Sequence, residues 1–479
     1  MYAELAYLFR HALMRDAAYE LHLPEERARL HALAHDAIEQ LFSARDSELD
    51  AMALELAHHA GSAGSILDDQ RLLNSECKWL ERAGVHAHAH WRGNEAAELF
   101  LRVAGHQAAD DKTRSHALCR AGKVLLDIGR LQQAREVLEQ ALGTAPDEAA
   151  MLDALRPLGY AYRNLGMPED ALRIAERNAA LAETAGTETD RVLALDSVAT
   201  ALTGLERLKD AREPAEQALA RARESCEPRL LGGILSNVGI LKGRLGDSQG
   251  ALDLLTEAVR VLEQTDDRRV IAVARRNLAD RLRVNWQIDA AERECEKALA
   301  EMRELGDRRG EGMALMTLGG IRRDQERPAD AAPMARLAGE ILIESGDLRA
   351  AATAFCNAAA AELDVARYAE CERLLQHALE LAQAGDAWRT VTMVQAVFGD
   401  LRRDQQRWAE AADWHGRAYE GYRRLGVGRQ GAWQIAERAI ALRMCGDPAA
   451  AQVWEAAKTA LQTEAPEDLQ GYFDKWNAA

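Results

Sequence analysis

The chain has 479 residues, more than one hydrophobic core ordinarily organises, so two or three domains or a repeat array are expected. Its 60 Lys and Arg stand against 77 Asp and Glu, a formal net charge of −17 that argues against nonspecific binding to nucleic acid, which needs a dense cationic surface. Ala and Leu dominate, followed by Glu and Arg, with 5% aromatics and only 10 Pro, a composition that favours helix and disfavours sheet almost throughout.

The N-terminal stretch "FRHALMRDAAYELHLPEERARLHALAH" (9–35) is dense in His, Arg and acids. His and Arg interrupt its apolar residues, so it is not a signal peptide, and no later apolar run approaches the length of a membrane span. Eleven of the 13 His precede residue 117. His86 and His90 in "VHAHAH" (85–90) share a helix face, a spacing that suits a metal, but no neighbouring carboxylate completes the set, and a polar helix surface is the expectation. His58 and His59 are adjacent and point apart on a helix. The seven Cys are scattered without a C-x-x-C pair, which fits a reducing, cytoplasmic setting and gives neither a disulfide framework nor a zinc site.

From residue 159 the chain repeats itself. Stepping by 40 from Gly159 meets Ala199, Gly239, Ala279, Gly319, Ala359, Gly399 and Ala439. Twelve residues after each lies a second row (Ala171, Ala211, Ala251, Ala291, Ala331, Cys371, Ala411, Ala451), and seven further a third that runs from Asn178 through Ala218 to Lys458. Upstream, Gly122, Ala134 and Ala141 keep the offsets, and so do Gly84, Ala96 and Val103, which makes ten units between about residues 70 and 465. Each unit is a helical stretch, a short break such as "RLGDSQG" (244–250) or "MCGDPAA" (444–450), and a second helical stretch; "ELGD" (304–307), "ESGD" (344–347) and "QAGD" (383–386) separate the units. Gly suits a helix C-terminus and Pro or Asp the next start. The grammar predicts antiparallel helix pairs with small residues where the two helices cross. A lone pair leaves its apolar face open, so the pairs must stack. The expected domains are a helical junction over 1–69, a solenoid over 70–465 and a short capping helix over 466–479, where Tyr472, Phe473 and Trp476 cover the open end.

The three rows resemble the tetratricopeptide repeat in its 40-residue variety, although the aromatic expected in the second helix is often replaced, as at Ala215, Cys295 and Leu375. The resemblance implies an all-α, right-handed superhelical solenoid. The segments 9–20, "ERARLHALAHDAIE" (26–39), "LELAHHAGSAG" (54–64), "WLERAG" (79–84) and "NEAAELF" (94–100) resemble the region that follows the nucleotide-binding core of STAND-type signalling ATPases, where a winged-helix end leads into such an array. His11 stands where those proteins sense nucleotide, yet no G-x-x-x-x-G-K-[ST] loop occurs in this chain. The opening stretch is therefore expected to be a structural remnant or junction.

No nucleophile, base and orienting group are brought together by any motif, and no cofactor is implied, so no enzyme is expected. Through the middle of the array, two residues before the small residues of the first row, stand Ser197, Asn237, Asn277, Thr317 and Asn357; Val397 and Glu437 break this row. Two residues turn about 200° around a helix, so these polar groups point away from the packed side. The resemblance implies that first helices line the concave face, where an amide, with both donor and acceptor, holds an extended main chain. Arg276 beside Asn277, and Arg244, are candidates to clamp a carboxylate. The competing expectation is that these residues bridge neighbouring helices. Arg in the twin "RRDQ" segments (322–325, 402–405) favours the negative end of its own helix. The expected function is a scaffold for a protein or peptide partner, with no nucleic acid and no membrane involved. The alternative is a sensor or autoinhibitory arm working with an ATPase or cyclase module in cis or in trans.

Overall fold

A computed structural model describes residues 19–479 except 44, 91, 166, 226 and 386. His11 and the first half of the opening stretch lie outside the described residues. The described residues hold helices and no strand, and none of the helices is long and apolar enough to cross a membrane. In chain order they are α1 (Pro24–Leu41), α2 (Asp46–Ala51), α3 (Ala53–Leu67), α4 (Gln70–Ala89), α5 (Gly93–Ala104), α6 (Asp111–Asp127), α7 (Leu131–Gly143) and α8 (Glu148–Asn164). Then follow α9 (Pro168–Ala185), α10 (Glu188–Gly204), α11 (Leu208–Ser225), α12 (Pro228–Arg244), α13 (Ser248–Leu262), α14 (Arg268–Val284), α15 (Ile288–Glu304) and α16 (Arg308–Asp324). The last are α17 (Pro328–Glu344), α18 (Leu348–Asp364), α19 (Tyr368–Ala384), α20 (Trp388–Asp404), α21 (Trp408–Arg424), α22 (Gly428–Met444), α23 (Ala450–Glu464) and α24 (Leu469–Ala478).

The helices form two compact units. One comprises the residues up to Ile128 with Gln133–Pro157; the other comprises Gly129–Gln132 and Leu158–Ala479. In the second unit the first helices of the pairs, α10, α12, α14, α16, α18, α20 and α22, each start 40 residues after the last. The rows of small residues have the predicted cause. A Cβ on Gly239 would stand 2.9 Å from Leu255 and 3.3 Å from the Ala251 carbonyl, so only a small residue admits the second helix at this crossing. The core runs on from pair to pair: Leu255, Leu262, Ala279, Cys295, Met302, Leu318 and Leu342 belong to one buried cluster. Each fully buried Leu contributes about 1.5–3 kcal/mol.

The turns inside the pairs are as periodic as the helices. Glu206, Gly246, Trp286, Glu326, Ala366, Gln406 and Gly446 all have positive φ, between 58° and 92°. The amide of the residue after each reaches back to close a Schellman turn, as Gln287 N donates to Leu282 O at 2.9 Å. Glycine was expected here. Five of these seven positions hold another residue, at a cost of about 1–2 kcal/mol each, which the hydrogen-bonded turn and the packed helices on both sides absorb. Between pairs, Asp307 and Asp347 each accept a backbone N–H three residues on and so cap α16 and α18.

A ladder of ion pairs joins successive pairs. Arg229 meets Asp267 (3.0 Å), Arg269 meets Asp307 (2.9 Å), Arg309 meets Asp347 (2.8 Å) and Arg429 meets Glu467 (2.8 Å), always 38 residues apart. A second set links Arg283 to Asp324 (2.8 Å) and Arg323 to Asp364 (3.0 Å), 41 residues apart. The last helix keeps this register: Asn477 and Ala479 stand 40 residues after Glu437 and Ala439. Thus α24 occupies the place of a further first helix, with Lys475 on Glu437 (3.0 Å) and Trp476 stacked on Trp454 at 4.9 Å. An ion pair also joins distant pairs of helices. Arg389 donates to Glu206, 183 residues earlier, at 2.6 Å, and Arg244 pairs with the same carboxylate.

Candidate functional site

The polar row two residues before the small row lies on α10, α12, α14, α16 and α18, and its members differ in what their side chains already hold. Ser197 Oγ donates to Leu193 O at 2.7 Å and Thr317 Oγ1 to Met313 O at 3.2 Å, the usual return of a helical hydroxyl to its own backbone. Asn237 Nδ2 donates to both oxygens of Asp196, at 2.9 and 3.1 Å, which leaves its carbonyl oxygen as the presented group. Asn277 is set the other way: its Oδ1 accepts from Arg276 at 2.8 Å, which leaves its amide hydrogens presented. Asn357 makes no hydrogen bond through its side chain among the described residues. Arg244 is spent on Glu206 and, at 2.8 Å, on the carbonyl of Thr203, so it ties α12 to α10.

Thr317 and Asn357 come together in a groove of about 170 Å³ that runs over α14, α16 and α18. Its charged walls are Asp280, Arg283, Arg323 and Asp324, and Gly319 and Gly320 leave its floor without side chains. The charges are paired: Arg283 to Asp324 and Asp280, Arg323 to Asp364. Hydrogen bonding to Asp364 holds the Arg323 guanidinium above its ordinary range. Arg276 differs from these arginines, with no carboxylate at ion-pair distance among the described residues. Burial pushes its guanidinium down, Asp280 opposes that, and Arg309 adds to it. Sequence reasoning missed Asp196, Asp280, Arg283 and Arg309, and took Arg323 only as a helix-end charge. For the three arginines the signal was present as the constant 38- and 41-residue offsets from Arg to Asp.

The twin "RRDQ" segments are structural. Arg322 binds Gln325 (3.0 Å) and Glu292, and Arg402 binds Gln405 (2.8 Å) and Glu372 (3.2 Å), the same arrangement twice, with the carboxylate 30 residues before the arginine each time. Among the clustered Trp, Trp454 is buried and Trp414 stacks on Phe398 at 4.6 Å, whereas Trp388 is exposed.

No group of three or more His, Cys, Asp or Glu suited to a metal ion occurs among the described residues. His86 and His90 lie with ring centres 4.1 Å apart and planes tilted by 36°, and Arg92 donates to His86 at 3.2 Å. In the first unit a cavity of about 370 Å³ brings Glu81, His116 and Cys119 near one another. Burial raises the Cys119 thiol, and its Sγ donates to Asp153 O at 3.1 Å, both of which disfavour a thiolate there. Burial likewise pushes Cys295, Cys356 and Cys371 up to about 12.

Residues 192–229 match the tetratricopeptide repeat family model. No curated protein matches the chain in sequence. Among solved structures, a Rap protein complexed with Competence and Sporulation Factor is similar over 76% of this chain and 99% of its own, at 15% identity and a TM-score of 0.54. BtubC from P. vanneervenii aligns over 47% of this chain and 91% of its own (19% identity, TM-score 0.37). A signal transduction ATPase with numerous domains, bearing a tetratricopeptide repeat sensor and from Pyrococcus horikoshii, aligns over 70% of this chain and 53% of its own (16% identity, TM-score 0.42). With the periodic pairs and the crossings of small residues, the chain carries one stretch that matches the tetratricopeptide repeat model and folds as an all-α solenoid of antiparallel helix pairs.

Proposed function

We propose that the array is a non-enzymatic scaffold that binds a peptide or protein segment along the first helices of its central pairs. The observation that carries this is the groove over α14, α16 and α18. Two adjacent glycines bare its floor, and the Asn357 amide is left without a hydrogen bond among the described residues. A free amide at a bare groove suits an extended main chain, because it gives one donor and one acceptor to a partner that offers both. The presented carbonyl of Asn237 and the presented amide hydrogens of Asn277 extend the same chemistry over two earlier pairs. That the Rap protein is complexed with Competence and Sporulation Factor agrees with this use of the fold.

The test is capture of partners by the full chain and by the Asn237/Asn277/Asn357→Ala variant, each checked for folding by circular dichroism, with the bound proteins identified and then titrated directly. Binding lost in the folded variant supports the groove. The single variants sharpen this. Asn357→Ala is expected to lower affinity without changing stability. Asn237→Ala is expected also to destabilise by about 1–2 kcal/mol, because Asp196 loses a donor. Full binding by the folded triple variant rejects the groove as the site.

A further inference from the structure

The N-terminal hairpin contains a contact that the groove does not use. His31 on α1 and His59 on α3 meet through their Nδ1 atoms at 2.7 Å. The Tyr19 hydroxyl lies 2.9 Å from the other nitrogen of His31, and Glu55 lies 3.9 Å from the other nitrogen of His59. His58 closes the cluster, its ring 5.5 Å from His31 and 5.8 Å from His59. A hydrogen bond between two imidazole nitrogens needs one N–H and one bare lone pair, so one proton bridges the rings. If both rings are fully protonated, two N–H groups and two positive charges face each other across that gap.

His35, Asp36 and Glu39 tie α1 to α4 through Ser75, Arg71 and Trp79, but against α3 the apolar burial of α1 is slight among the described residues. Of its 18 residues only Ala28 and His35 are buried, while Leu30, Leu33 and Leu41 are more than half exposed. An element with so few buried apolar contacts opens at low free energy, so one polar contact weighs heavily in it.

We propose that the His31–His59 contact is a proton-operated clasp, which holds α1 on α3 while one proton bridges the rings and releases α1 when both rings are protonated. The charged surroundings act in this direction. Around His31 stand Arg27 and His58 as cations or potential cations, and Arg27 is itself held over the Tyr19 ring (4.9 Å) and by Glu20 (3.0 Å). Around His59 stand His58 and His35, with Glu55 as the single opposing acid. Burial, then His59, His58 and Arg27, holds His31 below its ordinary value; burial holds His59 below its own, against the pull of Glu55. A histidine depressed in the folded state contributes stability that is complete above its unfolded value of about 6.5 and is lost as pH falls through the folded one. The clasp is therefore closed at neutral pH and opens in acid.

Hydrogen exchange of the full chain, followed by mass spectrometry and corrected for intrinsic rates, tests this directly. Between about pH 8 and about pH 5, protection of residues 24–41 should fall by about tenfold or more, while that of α14 and α16 holds. In His59→Gln the amide accepts from His31 without titrating, so protection at neutral pH should persist and the acid response should shrink. An acid response that survives unchanged in a protected His59→Gln overturns the proposal, as does a wild type equally protected at both ends. If the variant is unprotected throughout, nitrogen NMR of the wild-type imidazoles decides: two coupled steps support the clasp, and two independent titrations reject it.

Discussion

The N-terminal helices and the 40-residue pairs are built from the same residue types but depend on their contacts differently. In the first unit the polar contacts are used once each: His31 to His59, His35 to Ser75 (2.8 Å), Trp79 to Glu39 (2.9 Å) and Arg82 to Asp50 (2.6 Å). In the array the same Arg–Asp pair recurs from one helix pair to the next, beside the same small-residue crossing and the same left-handed turn. Helix α16 buries eight residues and α1 two. A recurring contact is one share of a distributed interface, so its loss is felt by two neighbouring pairs. A contact used once, on an element with little buried surface, decides whether that element is docked.

The largest effect that tests this contrast lies within the ladder. Asp347 is buried, caps α18 and pairs with the half-buried Arg309, whereas Asp267 caps α14 and pairs with the exposed Arg229. Asp347→Ala should cost about 2 kcal/mol, because it removes a cap and leaves a half-buried guanidinium without this partner. Asp267→Ala should cost about 1 kcal/mol, the loss of a cap alone. Urea unfolding of both variants measures the difference, and equal losses would mean that burial does not grade the ladder. Next is acid. The array's carboxylates Glu301, Glu370 and Glu372 are held low by Arg268, Arg373 and Arg402 respectively, so their contribution is present above their unfolded values and is lost only as pH falls through the depressed ones. His31 and His59, although held down, start from an ordinary value about two units above that of these acids. Limited proteolysis on lowering the pH should therefore cut within α1–α3 before it cuts the array, and simultaneous cutting would erase the contrast. The smallest effect concerns the turns. Ala366 is exposed with φ of 59°, so Ala366→Gly should stabilise the array by about 0.5–1 kcal/mol, seen as a raised midpoint of thermal unfolding.

The architecture was largely legible in the sequence because close helix crossings constrain residue size. Gly239, Ala279 and Gly319 stand in a row for the same steric reason, so a simple step of 40 finds them. The register of α24 was equally written in Asn477 and Ala479, but its shortness made it read as a cap alone. The site was legible in position and not in state. Nothing in the letters shows that Ser197 and Thr317 return their hydroxyls to their own helices, that Asp196 takes the amide of Asn237, or that Asn357 is left unbonded. Those outcomes depend on rotamers and on neighbours about 40 residues away. His58 and His59 were expected to point apart, but their rings lie 5.8 Å from one another and both face His31, 27 and 28 residues earlier, a convergence that no local pattern reveals.

The bond from Arg389 to Glu206 changes what kind of polymer the array is. A linear stack of repeats behaves as a one-dimensional lattice, in which any stretch melts independently of a distant one. An ion pair across 183 residues closes a loop over more than four pairs of helices. Forming it requires the intervening pairs to be folded, so most of the loop-closure entropy is lost before the bond can form. With Arg389 half exposed the bond is worth at most about 1 kcal/mol, so it biases the curvature of the pairs between Glu206 and Arg389 without locking it.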